Sequence, residues 1–299
     1  MSAPLSRRVR ALAIAGLVFN AFTWGVSWWP LRQMAGQGLH ALWLTGLVYS
    51  LAVLLLLLAR PTALAALLAR PRLVWLVLAA GTTNACFNWA VSIGDVVRVV
   101  LLFYLMPLWA AVLSWALLGE RIGGRGMLRV ALALAGAGVV LWPAAGLDAA
   151  AGPARPTLLP DALGVLGGFC FALNNVLLRR EADSPDSARA LAMFGGGAAV
   201  SLALAAWLTQ GGMATAPPPL AWGWAWPTLG LALWFLASNL SLQYGAARLP
   251  ANTTSVIMLS EVVFASVSAL ALGAGGAGPR EALGALMIVG AALLAARGD

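Results

Sequence analysis

Apolar residues run along this chain in stretches of about the length that crosses a bilayer, some 20 residues of helix, and short clusters of Arg, Pro, Gly and polar residues divide them. Cutting at those clusters predicts ten helices, over 9–31, 39–59, 72–93, 96–118, 126–143, 161–180, 188–209, 222–245, 250–272 and 280–296. The runs are long and unbroken, which favours membrane helices over a barrel. The first run begins basic and stays apolar through Trp24, Trp28 and Trp29. A cleaved signal peptide has a shorter apolar core and a small-residue cleavage site, so this run is predicted to be the first membrane helix. The fold class that follows is an all-α polytopic membrane protein.

Polar positions within the runs are spaced as helix faces. Asn20, Trp24 and Trp28 repeat at four in the first helix, and Asn84, Asn88 and Ser92 in the third. The fourth helix has Tyr104, the sixth Cys170, Asn174 and Asn175, the eighth Asn239, Gln243 and Tyr244, and the ninth Thr254, Met258 and Glu261. Helices two, five, seven and ten are nearly devoid of such residues. Polar side chains in hydrocarbon turn towards a bundle interior or a wet cavity. The contrast predicts an inner ring of helices one, three, four, six, eight and nine around a shared chamber. Candidate ligand contacts are Asn20, Trp24, Asn84, Asn88, Tyr104, Asn174, Asn239, Tyr244, Met258 and Glu261. The plainer reading of each Asn is a hydrogen bond to a neighbouring helix, that of Met258 is core packing, and that of Trp28 and Trp29 is the interfacial aromatic belt.

Glu261 stands in the apolar stretch VIMLSEVVFASV, and no other carboxylate lies mid-span. A charge at the bilayer centre costs roughly 2.5–3.5 kcal/mol on insertion scales. Three roles are open: a structural acceptor, a contact for a substrate amino group, or a proton-coupling site. Arg98, three residues after Asp95 near the end of a span, reads as a local ion pair and cap or as a mouth contact for a carboxylate. Pro30, Pro107 and Pro250, with Gly25, Gly94 and Gly245, are candidate bending points.

Composition agrees with the membrane assignment. Of 299 residues, 62% are hydrophobic and 9% charged, against about 25% charged in soluble domains, and the mean hydropathy is +0.89. The net charge of +8 comes from 18 Arg and no Lys. These lie in short connections rather than an aromatic-interleaved patch, which excludes a nucleic-acid partner. With the N-terminus in the cytoplasm, fourteen Arg fall on the cytoplasmic side and four outside. This asymmetry predicts both termini inside, an even number of spans, and a bacterial inner membrane. Cys86 and Cys170 sit inside apolar runs and read as packing residues. The single His, His40, and the absence of a His-based or metal-ligand motif argue against an enzyme. No cofactor or metal is expected.

The Gly-, Pro- and Ala-rich stretch 144–160 divides the chain into 1–143 and 161–299, five helices each, joined by a periplasmic linker. YLMPLWAAVLSWALLGE from Tyr104 and IMLSEVVFASVSALALG from Ile257 are the fourth helices of the two halves and align weakly. A five-helix repeat is odd in number, so its second copy enters from the opposite face and the two form an inverted repeat. This organisation, the Trp24-Gly25 pair and the LLGE ending at Glu120 resemble the drug/metabolite transporter superfamily, EamA type. Val262 stands where that family has Pro after Glu, and Met106 where it has Glu before Pro107. Within the family the FYLMP run and the many aromatics look most like the YddG-like amino-acid exporters.

The expectation is an inner-membrane exporter of small metabolites, amino acids including aromatic ones, working by alternating access as a monomer or weak dimer in the lipid bilayer. The competing readings are a multidrug effluxer of the same superfamily, a membrane-embedded enzyme, and a non-transporting sensor or assembly subunit.

Overall fold

The structure, a computed structural model, describes residues 6–119, 124–141, 158–246, 248–249, 257–258, 260–274 and 278–296. Among them it is helical throughout. The helices are α1 (Arg7–Val26), α2 (Trp28–Gly36), α3 (Ala41–Ala59), α4 (Ala63–Leu68), α5 (Val74–Ile93), α6 (Val96–Phe103), α7 (Met106–Leu118), α8 (Gly124–Leu141), α9 (Leu158–Arg180), α10 (Asp186–Gln210), α11 (Trp222–Ala246), α12 (Ser260–Ala271) and α13 (Pro279–Ala296). Six helical stretches are long and apolar enough to cross a membrane among the described residues: Arg7–Gly36, Ala41–Ala59, Pro71–Ile93, Val96–Leu117, Leu158–Arg180 and Asp186–Gln210. Pro250, Thr254, Glu120 and most of the expected linker lie outside the described residues. The last three residues of that linker are helical, because α9 begins at Leu158.

Two of the long stretches are interrupted, and proline chemistry explains where. Pro30 has no N–H to bond the Val26 carbonyl, and the first stretch breaks at Ser27, whose hydroxyl turns back to the Trp24 carbonyl at 2.9 Å. Pro107 has none to bond the Phe103 carbonyl, and the chain turns at Tyr104 and Leu105 between α6 and α7. The carbonyl so released faces Gly168 of α9, where an added Cβ would collide with it.

Helix packing divides the elements. α1 packs on α11 and α12, α5 on α9 and α10, and α6 and α7 on α9. α3 pairs with α10, and α8 with α13. Glycines mark the closest approaches. A Cβ on Gly25 would stand 2.9 Å from the Glu261 carbonyl, and one on Gly245 would stand 2.7 Å from the Ala13 carbonyl. These two glycines, candidates for bending, are instead points of backbone contact between helices. Gly94 likewise ends α5 against Pro160.

Candidate functional site

The largest apolar cluster draws on nearly every helix, and its centre is aromatic. Trp24 of α1 lies against Phe235 of α11 and Phe87 of α5, with ring centroids 4.9 and 6.2 Å apart. Phe87 meets Phe103 of α6 at 4.8 Å, and Phe103 meets Phe171 of α9 at 5.5 Å. Tyr104 adjoins Phe103 at 6.4 Å. Its hydroxyl reaches Oε2 of Glu261 at 3.0 Å and the Met258 carbonyl at 3.1 Å. Trp24, Tyr104, Met258 and Glu261 are therefore linked through one chain of contacts. That chain joins α1, α5, α6, α9, α11 and the start of α12, which carry the six runs expected to form the inner ring.

Local chemistry places each group. Tyr104 caps α6 at the break that Pro107 imposes, which turns its ring inward and leaves it 1% exposed. Glu261 sits in the first turn of α12 and is 7% exposed. The rim of the cluster is tied by indole donors. Trp28 Nε1 donates to Ser268 Oγ at 2.9 Å, Ser268 in turn donates to the Gly25 carbonyl at 3.3 Å, and Trp234 Nε1 donates to Thr23 Oγ1 at 2.7 Å. Trp28 is buried and bonded within the bundle, whereas Trp29 is exposed.

The remaining candidates lie elsewhere. Asn20 donates to the Ser238 carbonyl and hydroxyl at 3.1 and 2.8 Å, within the α1–α11 seam. Asn84 accepts from the Tyr49 hydroxyl and Asn88 donates to Thr45 Oγ1 at 3.1 Å, so both turn towards α3. Asn174 donates to its neighbour Asn175 at 3.4 Å, and Asn239 to the Phe235 carbonyl of its own helix at 2.9 Å. Tyr244 lies under the Arg248 guanidinium, 3.7 Å from the ring centroid. Among the described residues, the buried amide oxygens of Asn20, Asn88 and Asn174 meet no hydrogen-bond donor. His40 caps α3, its Nδ1 accepting from the Leu42 N–H at 3.2 Å. Burial holds its imidazole below the usual histidine range.

At the end of the bundle carrying the α6 N-terminus, Asp95 caps α6 by accepting from the Arg98 N–H at 2.9 Å. The Arg98 guanidinium grips Asp161 of α9 with two bonds of 2.8 Å. Arg98 thus has a strong partner 63 residues away in addition to the local cap at Asp95. The pair borders an open groove of about 720 Å³, which Trp109 and Phe169 also line.

Sequence reasoning missed Phe87, Phe103, Phe171 and Phe235, and it missed Thr45 and Tyr49 as partners of Asn88 and Asn84. The faint signal for the first group is adjacency: Phe87 precedes Asn88 and Phe103 precedes Tyr104.

The junction at Tyr104 and Glu261 brings the break between α6 and α7 against α12. Residues 11–142 match the EamA-like transporter family. This EamA-like region runs from α1 to the end of α8 and contains Trp24, Phe87, Phe103 and Tyr104. A solved crystal structure shares the fold: it is 19% identical, aligns over 97% of this chain and 98% of its own, and gives a TM-score of 0.57. No curated protein matches the chain.

Proposed function

We propose that the chain is a multi-pass membrane transporter that exports small amphipathic metabolites, most plainly amino acids including aromatic ones. The carrying observation is the aromatic cluster of Trp24, Phe87, Phe103, Tyr104 and Phe235, which joins the interior helices beside a buried carboxylate. Ring faces of this kind stack planar or apolar side chains, and Glu261 supplies one charged contact. The EamA-like match over residues 11–142 supports transport rather than catalysis.

In this reading the chain has ten spans in two inverted five-helix halves, 1–143 and 161–299, joined by a periplasmic linker at 144–160. Both termini lie in the cytoplasm of a bacterial cell, and the halves open the cluster to one face at a time. The burial of Asn20, Asn88, Tyr104, Asn174 and Glu261 fits a chamber that is closed in this arrangement. Asn20, Asn84, Asn88, Asn174, Asn239 and Tyr244 line it only when the helices part.

The test is uptake of labelled amino acids into proteoliposomes holding the purified protein, with and without a pH gradient. Aromatic amino acids are expected to move fastest. Transport of bulky organic cations with no movement of amino acids would favour the multidrug reading. Movement of no small molecule at all would overturn transport.

A further inference from the structure

We propose that the Arg98–Asp161 ion pair is a releasable latch: it closes the bundle at the end carrying the α6 N-terminus and parts when the chamber opens to that face. This rests on the transport reading above and assigns one of its two mouths to named residues.

Arg98 lies in the first turn of α6 and Asp161 in the first turn of α9, one in each half of the chain. At about 1.5 Å of rise per residue, Arg98 stands roughly 9 Å along its helix from Tyr104, and Asp161 roughly 15 Å along α9 from Phe171. The pair therefore forms a layer beyond the aromatic cluster, between it and the end of the bundle. Other contacts complete that layer. Arg32 of α2 donates from Nε to the Val91 carbonyl at 3.0 Å and also bonds the Gly94 carbonyl, which fixes the end of α5. The Val96 N–H donates to the Ala274 carbonyl at 3.4 Å, and Gly94 rests on Pro160. Of these three ties between the halves, the ion pair is the one held by charge and by two short bonds of 2.8 Å.

The surroundings of the pair make it releasable. Ions sealed in an interior part at high cost, because each is left with neither water nor partner. Here the two side chains are 13% and 11% exposed and border the open groove of about 720 Å³, so water reaches both as they separate. The cation also keeps a carboxylate on its own side. Asp95 caps α6 by accepting the Arg98 N–H at 2.9 Å, and it remains beside Arg98 when α9 withdraws. Beneath the pair the seam is smooth. Gly164, one turn after Asp161, would place a Cβ 3.2 Å from the Val99 carbonyl, so α6 and α9 meet there through backbone. Such a seam opens without side chains having to unthread.

A permanent strut and a latch differ in what their loss does: the first loosens the whole bundle, the second exposes one face. The experiment uses the full-length protein in intact cells and in inverted membrane vesicles, with Cys86 and Cys170 replaced by Ala and Val99→Cys as reporter. Val99 is fully buried directly after Arg98, and Cys is close to it in size. A membrane-impermeant maleimide reads its exposure, and Met213→Cys in a separate sample marks the face that carries the latch. With Asp161 in place, labelling is expected to be slow from both faces. Asp161→Asn should speed it roughly tenfold or more from the Met213 face alone, since it removes the charge that holds Arg98. Asp161→Glu, which keeps that charge, should stay slow. Thermal unfolding sets a labelling temperature at which every variant is folded. Labelling that Asp161→Asn leaves unchanged overturns the latch. So does an increase that is equal from both faces, which assigns the pair the role of a strut. The transport reading is decided separately: wild-type protein that moves no amino acid or organic cation in proteoliposomes overturns it, while the labelling still decides whether the pair is a latch.

Discussion

Gly168 illustrates how single residues set this structure. Its missing side chain admits the Phe103 carbonyl that Pro107 leaves without a helical partner. Gly168→Ala should force the α6–α9 contact apart and destabilise the protein by about 1–3 kcal/mol, the range for overpacking a close contact. Thermal unfolding in detergent measures it, and an unchanged midpoint would refute the contact. The sequence made some residues legible and concealed others for a physical reason. Asn, Tyr and Glu stand out in an apolar run because their burial in lipid is unfavourable, so Tyr104 and Glu261 were visible at once. Phe is as comfortable against lipid as against another ring, so Phe87, Phe103, Phe171 and Phe235 carried no such contrast. The direction in which Asn84 and Asn88 turn was equally hidden, because helical spacing fixes a shared face and not the neighbour that meets it.

Among elements, the informative contact is the one between α6 and α9. Arg98 and Asp161 are 13% and 11% exposed and doubly bonded, and they join segments on either side of the long linker. Removing one partner of a buried pair leaves a charge unmet, at about 3–5 kcal/mol, while replacing both with apolar residues is often neutral. Asp161→Asn should therefore lower the unfolding temperature clearly, and Arg98→Met with Asp161→Leu should recover most of the loss. Additive losses in the double variant would show that the two groups act separately. This pairing was illegible in sequence, where Asp95 is the nearer acid and local spacing alone suggests a partner. Helix interruptions were half legible. Pro30 and Pro107 announced them, but the breaks fall at Ser27 and at Tyr104–Leu105, three or so residues before each proline, where the missing N–H leaves a carbonyl unbonded.

For the whole molecule, the polar residues singled out the helices that the aromatic chain joins, but not their neighbours: Asn84 and Asn88 turn to α3, a helix expected outside the ring. Orientation depends on the arginine asymmetry, and it yields a direct test. Met213 and Ala182 are exposed in connections expected on opposite faces. With Cys86 and Cys170 buried, Met213→Cys should react with a membrane-impermeant maleimide in intact cells. Ala182→Cys should react only after the membrane is opened. The reverse pattern would invert the assigned topology.

Gly25 lets α1 rest directly on the backbone of α12 beside Glu261, and two turns of α12 further on Ser268 ties α12 to Gly25 of α1 and to Trp28 of α2. A displacement of α12 at Glu261 is thereby passed to α1 with no side chain at Gly25 in between. α1, α2 and α12 are thereby tied into one unit, and any movement of the turn that carries Glu261 is expected to register at the indole of Trp28.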